Sequence, residues 1–239
     1  MPSQERKPRR VRAPRPRLSR SLVVAAGIEI VRGEGLRQLS MRALAERLGV
    51  TPMAVYKHVE NRDELVLWVV TEIFSTLALP DERLEPLAWL RELAGRVRAL
   101  GLENRGVMDF LLDEGPVVAG TLVLLDRTVR KLHDAGVPWE EAGELHNTFF
   151  SWLAGAVRRQ EQWEARRSDA SPLFQRFFAA AAAMSPSEYP GIAHSLPHMQ
   201  AMDVEAEFET SLGFMLEGIQ RRIEASRSAS PRGRRTRQT

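Results

Sequence analysis

Tyr56, Lys57 and His58 place a phenol, an ammonium and an imidazole in a row, three groups suited to phosphate oxygens. Thr51 and Pro52 stand just ahead of them. Threonine is a good helix N-cap, and proline at the first helical position gives up an N–H that has no intrahelical partner there. Before these comes Gly49, where a turn needing a positive φ is expected. The arrangement reads as two helices joined by a glycine turn. Ala45 is small enough for the second to cross close over the first, and Val50 and Val55 fill the space between them. A helix held in that way can enter the major groove and offer its first residues to base edges.

The elements that must position this segment are helical. Val23, Ala26 and Ile30 recur at helical spacing and predict a helix over 19–32, ended by Gly33 and Gly35. Ser40 caps a helix over 41–48, with Leu44, Ala45 and Leu48 facing inward. The helix carrying Tyr56 spans 52–58. Asn61 caps the next, with Asp63 and Glu64 in its first turn against the helix dipole. Further helices are expected over 86–100, 104–112, 116–135, 138–166, 172–184, 186–194 and 203–224, several opening at Pro116, Pro138, Pro172 or Pro186. No alternating strand pattern of useful length and no internal repeat is present. The expected fold is all-α: a basic arm at 1–18, a three-helix DNA-binding domain at 19–65 holding the helix-turn-helix, a larger helical domain at 66–225, and a basic tail at 226–239.

Composition narrows the function. The chain has 239 residues, 44% of them hydrophobic, enough for a sizeable core. It contains no cysteine, which removes disulfides, thiolate metal sites and cysteine nucleophiles. There is no glycine-rich phosphate loop and no His-Glu helix motif, so an enzyme is not expected. His194 and His198 are four apart, but Pro197 is expected to break their helix and no carboxylate matches, so neither a metal nor a cofactor is expected. No apolar run approaches the ~20 residues of a membrane span, and the proline-dotted basic start does not read as a secretory signal. A cytoplasmic protein without membrane contact is expected. The net charge of +3 hides an uneven layout: residues 1–20 carry +7, residues 221–239 carry +6, and the stretch between carries −10. An arginine arm beside a DNA-binding module would touch phosphates and make affinity salt-dependent.

Residues 40–65, SMRALAERLGVTPMAVYKHVENRDEL, resemble the N-terminal domain of the TetR family of bacterial transcriptional regulators. Ser40, Arg42, Leu44, Ala45, Leu48, Gly49 and Val50 match that family's first helix and turn of the motif. Val55, Tyr56, His58, Val59, Asn61, Arg62 and Leu65 match its second helix and the start of the helix beyond. The likeness covers residues 18–70 closely. His58-Val59 is similar to the tetracycline-repressor branch, and the C-terminal half is like that branch in length and helix layout. Arg62 stands where lysine is usual. The resemblance implies that Arg42 reaches a guanine and that Pro52, Met53 and Ala54 face bases, reading thymine methyls more than hydrogen-bond patterns. It implies backbone contacts from Ser40, Thr51, Tyr56, Lys57, His58 and Arg62. The stretch 21–68 holds six basic and six acidic residues, so local placement must supply the affinity.

The resemblance further implies a repressor released from a palindromic double-stranded operator by a small-molecule inducer, acting as a homodimer. Candidate interface residues are His146, Phe149 and Leu153 on the 138–166 helix, and Phe208, Leu212, Met215 and Ile219 on the last helix. The same stripes would equally suit the subunit's own core. Candidate effector residues are Trp68, Trp89, Met108, Phe110, His133, Asn147, Phe150 and Trp152, a set suited to an apolar or aromatic ligand.

Overall fold

The computed structural model describes residues 18–169, 172–201 and 203–229, and among these no strand occurs. The expected arm, apart from Leu18, and the tail from 230 onward lie outside the described residues. Helices α1 (Arg20–Glu34), α2 (Met41–Leu48), α3 (Pro52–Tyr56) and α4 (Arg62–Ser75) form the N-terminal unit, with a 3₁₀ turn at Leu36–Gln38. The remainder comprises α5 (Pro86–Glu103), α6 (Val107–Glu114), α7 (Ala119–Asp134), α8 (Trp139–Asp169), α9 (Pro172–Ala182), α10 (Pro190–Gln200) and α11 (Val204–Ala229).

Caps set the N-terminal unit. The Leu22 N–H donates to Ser19 Oγ at 3.3 Å, and the Ala43 N–H donates to Ser40 Oγ at 3.1 Å. Each satisfies a donor that the helix itself cannot. The Glu64 N–H donates to Asn61 Oδ1 at 2.9 Å, while the Glu64 carboxylate reaches back to the Glu60 N–H at 2.7 Å. That reciprocal arrangement resembles a capping box. Val23, Ile30, Leu39, Leu44, Val55, Leu65 and Val69 are all buried and form one core shared by α1–α4.

In the larger unit α8 is the central element and packs against α5, α6, α7 and α11. Trp89, Leu90, Leu93, Leu132, Phe149, Leu153 and Leu212 are buried between these helices. Helices α9 and α10 pack on one another and leave Leu173, Phe177, Tyr189 and Met199 exposed.

Several boundaries differ from expectation. Helix α4 itself runs unbroken from Arg62 to Ser75 on a buried stripe of Val66, Val69, Val70 and Ile73. Helix α7 begins at Ala119, not Pro116, since Gly115 (φ 81) ends α6 and the Val117 N–H turns back onto its carbonyl. In α10 it is Pro190 that takes the first turn, and Pro197 lies inside the helix rather than breaking it. The proline withholds one hydrogen bond but does not end the segment.

Candidate nucleic-acid interface and ligand cavity

Gly49 turns α2 into α3 with φ 63 and ψ 34, left-handed backbone that side chains rarely adopt. The Val50 N–H donates to Ala45 O at 3.0 Å and the Gly49 N–H to Glu46 O at 3.2 Å. Those two bonds close a Schellman motif and fix the angle at which the chain leaves α2. Thr51 occupies the N-cap of α3 and Pro52 its first turn, but the threonine side chain makes no capping bond. Its hydroxyl is therefore open to another acceptor or donor.

Helix α3 has five residues. Val55 in the helix and Val59 just after it are its anchors, 0% and 1% exposed, in the same core as Leu44 and Ala45 of α2. With those two turned inward, Met53 (69%) and Tyr56 (51%) face solvent, and Lys57 and His58 are also exposed. Pro52 is exposed and Ala54 half-buried. Lys57 and His58 lie in the turn after α3 and not in the helix expected to reach 58. Arg42 projects from α2, paired with Glu46 at 3.0 Å on an open surface. Such an exposed i,i+4 pair is weak and easily exchanged for another anion or a base edge. Arg62 is engaged elsewhere: its Nε donates to Leu39 O at 2.9 Å and Nη2 to Leu36 O at 3.5 Å. Ser40 serves as the α2 cap.

A second feature lies among α4–α8. A cavity of about 280 Å³ is lined by Phe74, Val97, Met108, Leu111, Thr121, Leu124, His146, Asn147, Phe150, Ser151 and Ala154, with no acidic, lysine or arginine side chain in the lining. Burial pushes His146 down to about 4, so the imidazole is neutral near neutral pH. Of the expected ligand residues, Met108, Asn147 and Phe150 line this cavity. The rest are placed elsewhere. Trp89 is fully buried, and Phe110 packs partly buried on the core. Trp68 lies under the Arg20 guanidinium at 4.2 Å. His133 stacks on Trp139 with ring centres 3.7 Å apart. Trp152 stacks on Phe208 at 5.7 Å.

His146, Asn147, Phe150, Ser151 and Ala154 recur at helical spacing on one face of α8, a signal legible in the sequence that aromatic type alone did not reveal. The expected interface stripe also resolves. Phe149, Leu153, Phe208, Leu212 and Ile219 are buried within the subunit, His146 faces the cavity, and Met215 is half-buried. The outer faces of α8 and α11 carry instead a groove of Trp152, Gly155, Ala156, Arg159 and Ser211, with Phe214 69% exposed on α11.

Helix α6 joins the two features. It contributes Met108 and Leu111 to the cavity. At its start, the Leu36 N–H donates to Arg105 O at 2.8 Å, and Asp109 pairs with Arg37 at 3.4 Å and Arg158 at 3.0 Å. Gly106, at φ 81, donates its N–H to Glu161 at 3.2 Å. Burial raises Glu161 to about 7; the Gly106 hydrogen bond opposes this and the Asp109 charge adds to it.

Among the described residues no helix is long and apolar enough to cross a membrane, and no group of three or more potential metal ligands occurs. Residues 23–69 match the family model described as bacterial regulatory proteins, tetR family. Residues 86–223 match the tetracyclin repressor-like C-terminal domain. An HTH-type transcriptional regulator of Saccharopolyspora erythraea is 35% identical over 68 residues, 28% of this chain and 29% of that protein. The class G tetracycline repressor protein of Vibrio anguillarum is 33% identical over 92 residues, 37% of this chain and 44% of that protein. The chain thus matches less than half the length of either relative. Apo ActR from Streptomyces coelicolor superposes with a TM-score of 0.72 at 22% identity, over 86% of this chain and 98% of that one. ActR in complex with actinorhodin gives 0.73 at 23% identity, over 85% and 95%. With one family model on the helix-turn-helix and the other on more than half of the chain, the protein belongs to the tetR family of bacterial regulatory proteins.

Proposed function

We propose that the protein is a sequence-specific DNA-binding transcriptional regulator. It acts as a homodimer in the bacterial cytoplasm and represses until a small molecule releases it from a palindromic operator. One observation carries this reading: α3 is pinned by Val55 and Val59 while Met53, Tyr56, Lys57 and His58 all face outward. An apolar residue at the helix start with phosphate-suited groups behind it is what major-groove docking asks of this element. Tyr56, Lys57, His58, Thr51 and the Ser40 hydroxyl would contact the backbone; Arg42, Pro52, Met53 and Ala54 would face bases. Arg62 would contact phosphate only by leaving the Leu36 and Leu39 carbonyls.

The effector reading rests on the cavity, and on a relative of the same fold, ActR, having been crystallised in complex with actinorhodin. Helix α6 is the natural coupling element, since it meets both the cavity and the 3₁₀ turn of the DNA-binding unit. One groove-entering helix per subunit requires two subunits for tight binding, so the two half-site centres should lie roughly 34–36 Å apart or a multiple of that.

Selection of bound sites from random duplexes tests the reading. The expected result is an inverted repeat bound at least ~10³-fold more tightly than random DNA at moderate salt. Equal affinity for every duplex would reject it.

A further inference from the structure

The cavity's chemistry narrows what it can hold. Its lining carries no formal charge at neutral pH, because the one titratable group there, His146, is buried and neutral. An ionised ligand would lose its hydration without gaining a counter-charge. Its walls include Phe74 and Phe150, and the Phe150 ring lies 4.5 Å from the His146 ring at a 37° tilt. Aromatic walls of this kind suit a flat ring laid against them.

The polar groups decide the rest. The Thr121 hydroxyl already donates to Val118 O at 2.7 Å, so its proton is spent. Asn147 and Ser151 are exposed and belong to the mouth. His146 is 7% exposed, and its Nδ1 is shut off from solvent with no hydrogen-bond partner. A proton on Nδ1 would be an orphaned buried donor, which costs more than an idle lone pair. The favoured tautomer therefore carries its proton on Nε2, and the imidazole is a hydrogen-bond donor.

We infer that the cavity takes an uncharged, planar aromatic carbonyl compound, its ring against Phe150 and its carbonyl oxygen accepting from the imidazole N–H of His146. This rests on the reading of the cavity as the effector site.

Three probes of one skeleton test it by calorimetry on the full chain near neutral pH: 2-acetonaphthone, 2-ethylnaphthalene and 2-naphthoate. The ketone should bind about tenfold more tightly than the hydrocarbon, the worth of one buried neutral hydrogen bond, and the carboxylate should bind weakest. In His146→Phe the ketone's advantage over the hydrocarbon should shrink to within about twofold. The ranking on the unaltered protein needs no variant to fold. Ser151→Phe, at the exposed mouth, should weaken all three alike. Ketone and hydrocarbon binding equally, the carboxylate binding tightest, or His146→Phe keeping the full preference would overturn the inference and leave the effector cavity standing. If no probe binds, or Ser151→Phe changes nothing, the cavity reading falls and the inference with it.

Discussion

Tyr56 and Met53 differ by only three positions, yet the proposed roles separate them. A phenol that touches phosphate carries no sequence information, whereas an apolar side chain at the helix start meets a base edge. Tyr56→Phe should therefore weaken binding to every operator variant by a similar factor, about ten- to a hundredfold for one hydrogen bond to a charged oxygen. Met53→Ala should change which base pair is tolerated at one position in each half-site. Fluorescence anisotropy against a panel of single-base variants distinguishes the two. Buried His146 and half-buried Glu161 make a separate prediction about stability. His146 falls from 6.5 to about 4 in the fold, so the unfolded chain takes up more protons between those values. Its contribution is present above 6.5 and is lost as pH falls toward 4. Glu161 rises from 4.5 to about 7, so the native state holds the extra proton; stability declines as pH rises from 4.5 through 7. The two slopes oppose each other over most of the same range, and the wild-type profile should be shallow there. Thermal melts should show that Glu161→Gln stabilises more at pH above 7 than below 4.5, and that His146→Phe uncovers the Glu161 slope, stability then falling steadily as pH rises from 4.5 through 7.

Among the elements, α3 cannot stand alone, because a helix of five residues lies far below the length that is stable in water. Its position depends on the Gly49 turn and on two valines. Gly49→Ala puts a Cβ on left-handed backbone and should cost roughly 1–2 kcal/mol, read as a lowered denaturation midpoint. Helix α6 works by position. Its Arg37–Asp109 pair has an arginine 82% exposed, and an open pair of this kind adds under about 1 kcal/mol to stability. Arg37→Ala should leave the melting curve nearly unchanged yet reduce the loss of operator affinity caused by a cavity ligand. An operator titration with and without ligand reads that coupling, and an identical ligand effect in the variant would remove the pair from the path.

For the molecule as a whole, the distribution of charge and the outer faces of α8 and α11 matter most. Phe214 is 69% exposed on α11, the helix that with α8 forms a groove lined by Trp152, Gly155, Ala156 and Ser211 and by the Arg159–Glu207 ion pair. An apolar ring so placed suits burial against a second copy. Phe214→Lys should shift sedimentation toward the monomer and weaken operator binding, with little loss of subunit melting temperature. The basic start of the chain concerns the other partner. Removing residues 1–17 should lower affinity and flatten its dependence on salt, as expected when phosphate-neutralising cations are lost.

The all-helical fold, the glycine turn, the caps at Ser40 and Asn61, and the segment that faces outward were legible in the amino-acid order. Those are local matters, written in residue type at short spacing. Arg62 shows where local reading stops. Its type suits phosphate, but only the packed structure brings the Leu36 and Leu39 carbonyls, 26 and 23 residues away, within reach of it. The same holds for α8. Periodicity marks an apolar stripe on a helix but not what lies opposite, and Phe149 and Leu153 would look alike facing a partner or facing their own core. Packing turned that stripe inward, and α4 to α7 closed around His146 so that a cavity remained. A cavity is a gap between five elements, and no single stretch of chain encodes it.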